Sequence, residues 1–316
     1  MSLSDMAVFD QYVMPATIET LGQNIELFNA ASNGSIVLTS EGFDGDFLQE
    51  SFWQGIHAAQ RRVDRYAAQG TPSATDLTQD QHNTVKIAGG FGPILFEPGQ
   101  LTWLRKPTAE GIEVISRNLA EAMLSDMVNT SVSALVAAII EAGHTADDAG
   151  AIDYDLINQA HAVFGDKSSL IIANVMSGAM FHSLIALNLA NADTLFEAGN
   201  VTVVDWLGRA IVVTDAPSLT VVAGKTSVLG LVANAATVTD AGDLISNVQT
   251  TNGKDRIETT FQVDYTFGLG LKGYAWDMAN GGKSPLDAEI ATGTNWDQVA
   301  ADLKHTAGVA ATFTTP

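Results

Sequence analysis

The stretch SSLIIANVMSGAMFHSLIALNLANADTLFEAGNVTVVDWLGRAIVVTDAP, residues 168–217, decides how the rest of the chain is read. Residues 170–173 are an apolar run of strand length. Met180, Leu184 and Leu187 then recur at helical spacing, so a helix is expected over about 177–190. Two strands follow, over 201–206 and 209–215, linked by the tight Leu207-Gly208 step and closed by Pro217. The β-branched run Ile211-Val212-Val213 suits a strand buried on both faces. The α and β segments here and elsewhere interleave without a regular βαβ order, which points to an α+β chain.

Downstream, short β pieces are expected over 218–223 and 227–238. A longer region, 256–277, has Glu258, Thr260, Gln262 and Asp264 alternating with Ile257, Thr259, Phe261, Val263 and Tyr265: the period of a half-buried strand. The chain closes on the strand-like 309–313. Gly268-Leu269-Gly270-Leu271-Lys272-Gly273 spells a dinucleotide-binding fingerprint, but Tyr274-Ala275-Trp276-Asp277 follows it. That context is strand then turn, not the helix N-terminus that would face a pyrophosphate. Gly224-Lys225-Thr226 and Gly282-Lys283-Ser284 lack the earlier glycine of a phosphate loop; Leu219 and Asp277 stand there.

Upstream, the longest helical signal runs from Thr108 to about Ala142. Pro107 precedes it, Glu110 sits in its first turn, Ile112, Ile115, Leu119 and Met123 give its apolar face, and Gly143 is its stop. Unbroken, it would span roughly 50 Å. Residues 146–150 read as a loop, and Asp153 as the cap of a short helix over 154–164. Residues 44–70 read as an amphipathic helix with Phe47, Trp53, Ile56 and Val63 on one face, Arg61, Arg62 and Arg65 late in it, and Gly70 at its end. Residues 1–43 lack sustained periodicity and read as an extended arm. Between Gly70 and Pro107, strand-like pieces at 83–88 and from Ile94 flank Gly89-Gly90-Phe91-Gly92-Pro93, a run of turn residues, so 71–106 is expected to be an extended hairpin. A lone two-stranded hairpin is marginal in water. This one displays Val85, Ile87, Phe91, Pro93, Ile94, Leu95 and Phe96, so it either folds back on its own domain or lies along another subunit.

Composition narrows the function classes. Lysine and arginine number 15 against 36 acids, a formal net charge of −21, which disfavours a surface for phosphate backbones. The absence of cysteine excludes disulfides, thiolate metal sites and thiol catalysis. The first residues carry acids where a signal peptide carries Lys or Arg, and no run of apolar residues reaches membrane-spanning length, so a soluble chain is expected. His144, Asp147, Asp148, Asp153 and Asp155 crowd one span, but a helix stop, a turn and a cap account for them. His161 and His182 have no acid or second histidine at i+3 or i+4. No catalytic, cofactor-binding or metal-binding set assembles.

With those parts in order, the chain resembles the major capsid proteins of tailed bacteriophages, with their HK-ninety-seven-type fold. The resemblance rests on Met180-Phe181-His182-Ser183, on Leu207-Gly208-Arg209 leading to Val212-Val213, Asp215 and Pro217, and on Asp76-Leu77-Thr78-Gln79 with Val85-Lys86-Ile87 through Gly92-Pro93. It extends to Gly268–Trp276 and to His305-Thr306-Ala307-Gly308-Val309, where Thr306 replaces a proline common in relatives. It implies an N-terminal arm (1–43), a joining helix (44–70), an extended loop (71–106), a spine helix with peripheral domain (107–150), an axial domain (151–250) and returning peripheral strands (251–316). It further implies a non-enzymatic coat protein without cofactors. Hexamers and pentamers of this chain would form an icosahedral virion shell around double-stranded DNA, assembled in the cytoplasm of a bacterial host. A separate scaffold, a portal and decoration proteins are the partners it implies; a membrane is not. Intersubunit contacts are then expected from Val85, Ile87, Phe91, Pro93, Ile94 and Phe96. An acidic enzyme with dispersed site residues, an encapsulin-like compartment and a phage tail-tube or other virion component are the alternatives.

Overall fold

In the computed structural model, residues 3–39, 41–53, 60–68, 70–71, 74, 76, 79–96, 109–148, 150, 152–190, 209–214, 216–221, 225–240, 243–252 and 258–314 are described. The expected strand at 201–206 lies outside them. The first element is a helix, α1 (Leu3–Ala31), and not an extended arm. Val13, Thr17, Leu21 and Ile25 are buried at four-residue spacing along one side of it, and this stripe lies on the long helix α2 (Ala109–Glu141). The sequence hides α1 because Pro15, Thr17 and Gly22 interrupt its apolar pattern; packing on α2 supplies what local propensity does not.

After α1 come β1 (Ile36–Thr39), β2 (Phe47–Trp53) and β3 (Gln79–Phe96). Two expectations are corrected here. The segment 44–70 is no helix where it is described: Phe47–Trp53 is a strand antiparallel to β3, with Phe47 opposite Val85 and Trp53 opposite Gln79. Nor do Gly89–Pro93 form a hairpin tip. They lie inside the single strand β3, paired along its length with the distant strand β11 (Glu258–Leu271). The turn-forming residues become a bulge: Phe261 faces Ile94 and Val263 faces Phe91, which leaves Gly92 and Pro93 opposite Gln262. Gly92 has φ +111, and a Cβ there would sit 2.7 Å from the Phe261 carbonyl oxygen.

Helix α2 covers the span its periodicity predicts and continues through Asn129-Thr130-Ser131, whose Ser131 hydroxyl donates to the Val128 carbonyl at 2.7 Å. It ends in a Schellman arrangement. Gly143, at φ +71, donates to Ile140 O, and His144 donates to Ile139 O at 3.1 Å. The stretch Glu113–Glu141 is long and apolar enough to cross a membrane, but most of it is buried inside the fold. Its apolarity serves a core packed by Leu119, Met123, Met127, Leu135 and Ile139.

Next come β4 (Thr145–Asp148), a strand where a loop is expected, α3 (Tyr154–Ala162), β5 (Ile171–Met176), α4 (Gly178–Ala190) and β6 (Ala210–Val213). Strands β7 (Thr220–Val221), β8 (Lys225–Val232), β9 (Ala236–Asp240) and β10 (Ile245–Thr251) lead into β11. The chain finishes with β12 (Tyr274–Trp276), the short α5 (Asp287–Ile290), β13 (Trp296–Gln298) and β14 (Gly308–Thr314). Residues 258–265 of β11 alternate in burial as their sequence predicts, with Thr259, Phe261, Val263 and Tyr265 inside. The apparent nucleotide fingerprint is a tight turn from β11 to β12, with Gly273 at φ +80 and Leu271 opposite Tyr274.

Two mixed sheets result. One runs β1-β9-β11-β12-β13, with β3 and β10 also on β11 and β2 on β3; the other runs β4-β14-β8-β5-β6, with β7 on β8. Strand β11 is the hub of the first, holding β3 on one edge and β10 then β9 on the other. Helix α2 is tied to this hub by the Tyr265 hydroxyl, which donates to Asp126 Oδ2 at 2.5 Å. Burial pushes the Asp126 carboxyl up from its ordinary value; the Tyr265 hydrogen bond opposes this and the nearby charge of Asp287 adds to it.

Candidate assembly interface

The β2–β3 ribbon changes character along its length. At its base Val85 is fully buried and Ile87 is 5% exposed. Both contribute to this chain's own core, so neither is free to meet a neighbour as expected. Phe91 is partly covered and stacks on Tyr265, ring centroids 5.6 Å apart, in a row continued by Phe267. Beside this row Gly89 leaves room for the tyrosine: a Cβ there would come within 2.9 Å of its ring. Pro93 and Ile94 are exposed, as is Leu95. Phe96 pairs with Thr259 through its backbone. The apolar side chains that suggested a neighbour are thus divided: Val85 and Ile87 lie in the core, whereas Pro93, Ile94 and Leu95 are exposed although β11 pairs with that part of β3 as well.

The opposite end of β3, where β2 pairs with it, exposes more. Trp53, the last residue of β2, is 62% exposed. Beyond it, in the segment joining β2 to β3, Arg61, Arg62, Val63, Arg65 and Tyr66 all face solvent. Tyr66 donates its backbone N–H to Asp64 Oδ1 at 2.9 Å, and the Arg65 guanidinium stands 6.0 Å from the Tyr66 ring centroid. Sequence reasoning placed these arginines on a helix and missed them as part of an exposed segment between β2 and β3. The signal available was their concentration: three of the scarce cations of a strongly acidic chain within one short segment.

A second polar knot lies where the unit 168–217 meets α3. His161 is buried, with Nε2 2.9 Å from Asn174 Oδ1 and Nδ1 2.5 Å from Arg209 Nη1. An arginine can only donate, so Nδ1 accepts and the Nε2–H donates to Asn174. Arg209 also donates to the carbonyls of Ile171 and Ser168, both at 2.9 Å. Burial, together with the Arg209 charge, lowers the His161 pKa to about 4, against the smaller opposing effect of the Asn174 bond. The imidazole is therefore a neutral structural linker. Gly230 lies against the ring; a Cβ there would be 2.9 Å from Nε2.

The other residues weighed for chemistry disperse. His144 Nδ1 is 3.0 Å from the Tyr274 hydroxyl, inside the core. Asp147 accepts from Lys225 and Thr312, and Asp148 from the Gly150 backbone. Asp153 occupies the N-cap position of α3 without a side-chain cap bond, and Asp155 accepts from Gln159. Among the described residues no group of three or more His, Asp or Glu is placed to hold a metal ion.

The comparisons agree with this architecture. The family model described as Gp13-like, Major capsid protein 13-like, matches residues 5–310. No curated protein sequence matches the chain. Among solved structures, one from Microbacterium phage Oxtober96 is similar at a TM-score of 0.54 and 14% identity, over 90% of this chain and 91% of that one. The Cyanophage Pam1 capsid asymmetric unit is similar at 0.52 and 9% identity, over 88% of each chain. A structure from Mycobacterium phage Bobi is similar at 0.52 and 12%, also over 88% of each. At such identities the likeness is one of fold, and the fold is HK-ninety-seven-like.

Proposed function

The chain belongs to the Gp13-like family, the major capsid protein 13-like proteins, and from that premise we propose how its copies make a shell. They join as hexamers and pentamers into an icosahedral virion head around double-stranded DNA. A separate scaffold, a portal and decoration proteins complete the particle, which is built in the cytoplasm of a bacterial host. In this reading residues 1–43 are the arm, now largely helical, and 44–106 form the ribbon that reaches a neighbour. Residues 107–150 and 251–316 make the peripheral body, and 151–250 form the axial unit converging at each capsomer centre.

The observation that carries this reading is the ribbon itself. Its base is anchored in the sheet, and its outer half offers Trp53, Val63 and Tyr66 to solvent. On one copy alone that arrangement exposes apolar surface for no return; between copies it becomes interface. Of the residues expected at intersubunit contacts, Pro93, Ile94 and Phe96 stay in this role, Phe91 at most by its open edge, and Val85 and Ile87 leave it. The net charge of −21 keeps the shell wall from gripping the phosphates of packed DNA. Electron microscopy of the purified full chain is the test: capsomers or polyhedral particles are expected, and compact monomers at every concentration would refute the proposal.

A further inference from the structure

Outside one segment, every lysine and arginine of the described residues is engaged. Lys86 pairs with Asp243, Arg117 with Glu121, Lys225 with Asp147, Lys283 with Asp46 and Lys304 with Asp166. Lys167 faces His305, Lys272 donates to the Ala233 carbonyl, and Arg209 is held as described above. Arg61, Arg62 and Arg65 are the exception. All are exposed, no carboxylate is paired with them among the described residues, and the Tyr66 ring beside Arg65 is exposed as well. On a chain of net charge −21, cations left over in this way are a resource held for something else. Arginine and tyrosine together are the side chains that most often anchor protein interfaces.

Their complement lies partway along β3. Gly89 and Gly90 of β3 floor a groove rimmed by Asp243 and Asp264, beside Leu244 and the 66% exposed Ile245. A Cβ on Gly90 would stand 2.6 Å from Asp264 Oδ1, so the side-chain-free floor makes room for that carboxylate, whose oxygens accept from the neutral Gln262 amide at 3.0 and 3.1 Å. Both aspartates are exposed; Asp243 accepts from the Thr266 hydroxyl at 3.0 Å, and among the described residues only the Lys86 ammonium, 3.5 Å from Asp243, offsets their charge. From Gln79, where the β2–β3 ladder ends, to Gly89 the strand spans about 34 Å. The donor segment precedes β3 and the acceptor groove lies partway along it, so the two are well separated on one copy. Such a pairing between copies is heterologous, head to tail, and closes into rings when the rotation fits.

We infer that the loop carrying Arg61, Arg62, Arg65 and Tyr66 seats in the Asp243/Asp264 groove of a second copy of this chain. The inference rests on the shell reading above. It adds the chemistry of the contact: charge-assisted hydrogen bonds from guanidinium to carboxylate, with Val63 and Tyr66 against Leu244 and Ile245. A contact of this kind steers association and weakens with salt, since screening acts within about 8 Å at physiological ionic strength.

The test uses the full chain, with assembly followed by light scattering and electron microscopy across a sodium chloride series. The triple variant Arg61→Glu, Arg62→Glu, Arg65→Glu should melt like the parent, yet raise the concentration for half-assembly at least about tenfold. Asp243→Lys with Asp264→Lys should be similarly impaired, and one chain carrying all five changes should recover most of the loss. A triple variant that forms shells at the parent's concentration overturns the inference and leaves the shell reading intact; the arginines would then serve nucleic acid or a different protein. A five-fold variant no better than its parts overturns the groove as the acceptor. A parent chain that never assembles overturns both readings together.

Discussion

The two ends of the β2–β3 ribbon have similar apolar content and opposite fates. At the base, Val85 and Ile87 are shut into the core under β11; at the outer end, Trp53, Val63 and Tyr66 are open to solvent. Apolar residues in a strand therefore do not identify an interface by themselves. Strand pairing does not separate them, since β11 runs beside β3 from Val85 to Phe96 and Ile94 and Leu95 are exposed all the same; what separates them is whether the face of the strand packs into the core.

The contrast can be broken most directly at the base. Val85→Asp buries a carboxylate where no partner stands and should cost about 4 kcal/mol or more, enough to prevent folding of the isolated chain. Loss of the cooperative melt by circular dichroism is the expected reading, and a native melt would mean the base is not core. Phe91→Asp probes the boundary. It removes the stack on Tyr265 from a partly covered site, so a loss of about 2 kcal/mol is expected, readable as a lower urea midpoint. No change at all would move Phe91 to the outer, partner-facing class.

A pH experiment sharpens the inner half. Folding raises the Asp126 pKa, so between the ordinary carboxyl value and the raised one the unfolded chain ionises first, and stability falls as pH rises through that window. Asp126→Asn keeps an oxygen to accept from Tyr265 and cannot ionise. Its melting temperature relative to the parent should rise from acid toward neutral pH by about a degree or two. A difference independent of pH would show that the carboxyl does not titrate as described. The smallest effect is expected at the outer end, where Tyr66→Ala should leave the melting temperature unchanged while weakening assembly in sedimentation.

Much of the architecture is legible from local pattern. The span of α2, the alternation along β11, the strand β14 and the failure of the glycine fingerprint to open a helix all follow from residues near one another in sequence. What is not legible depends on distant partners. Phe47, Trp53, Ile56 and Val63 mimic a helical face only loosely, and the pairing of β2 with β3 overrides it. Gly89-Gly90-Phe91-Gly92-Pro93 has the composition of a turn, yet β11 absorbs it as a bulge because glycine leaves room for Tyr265 and Asp264 to lie close. The placement of Val85 and Ile87 as outward contacts failed for the same reason: their cover comes from far along the chain. The partner of His161 was likewise hidden, since Arg209 approaches it through the tertiary fold alone.

The long register between β3 and β11, from Phe96 opposite Thr259 to Val85 opposite Leu269, has a mechanical consequence. Inter-strand hydrogen bonds lie across the strands, so tension drawn along the ribbon by a neighbouring subunit loads that ladder in shear, many bonds at once. The pull does not peel them apart singly. The Tyr265–Asp126 bond joins the ladder to α2, so in the proposed shell that load would be shared with the long helix.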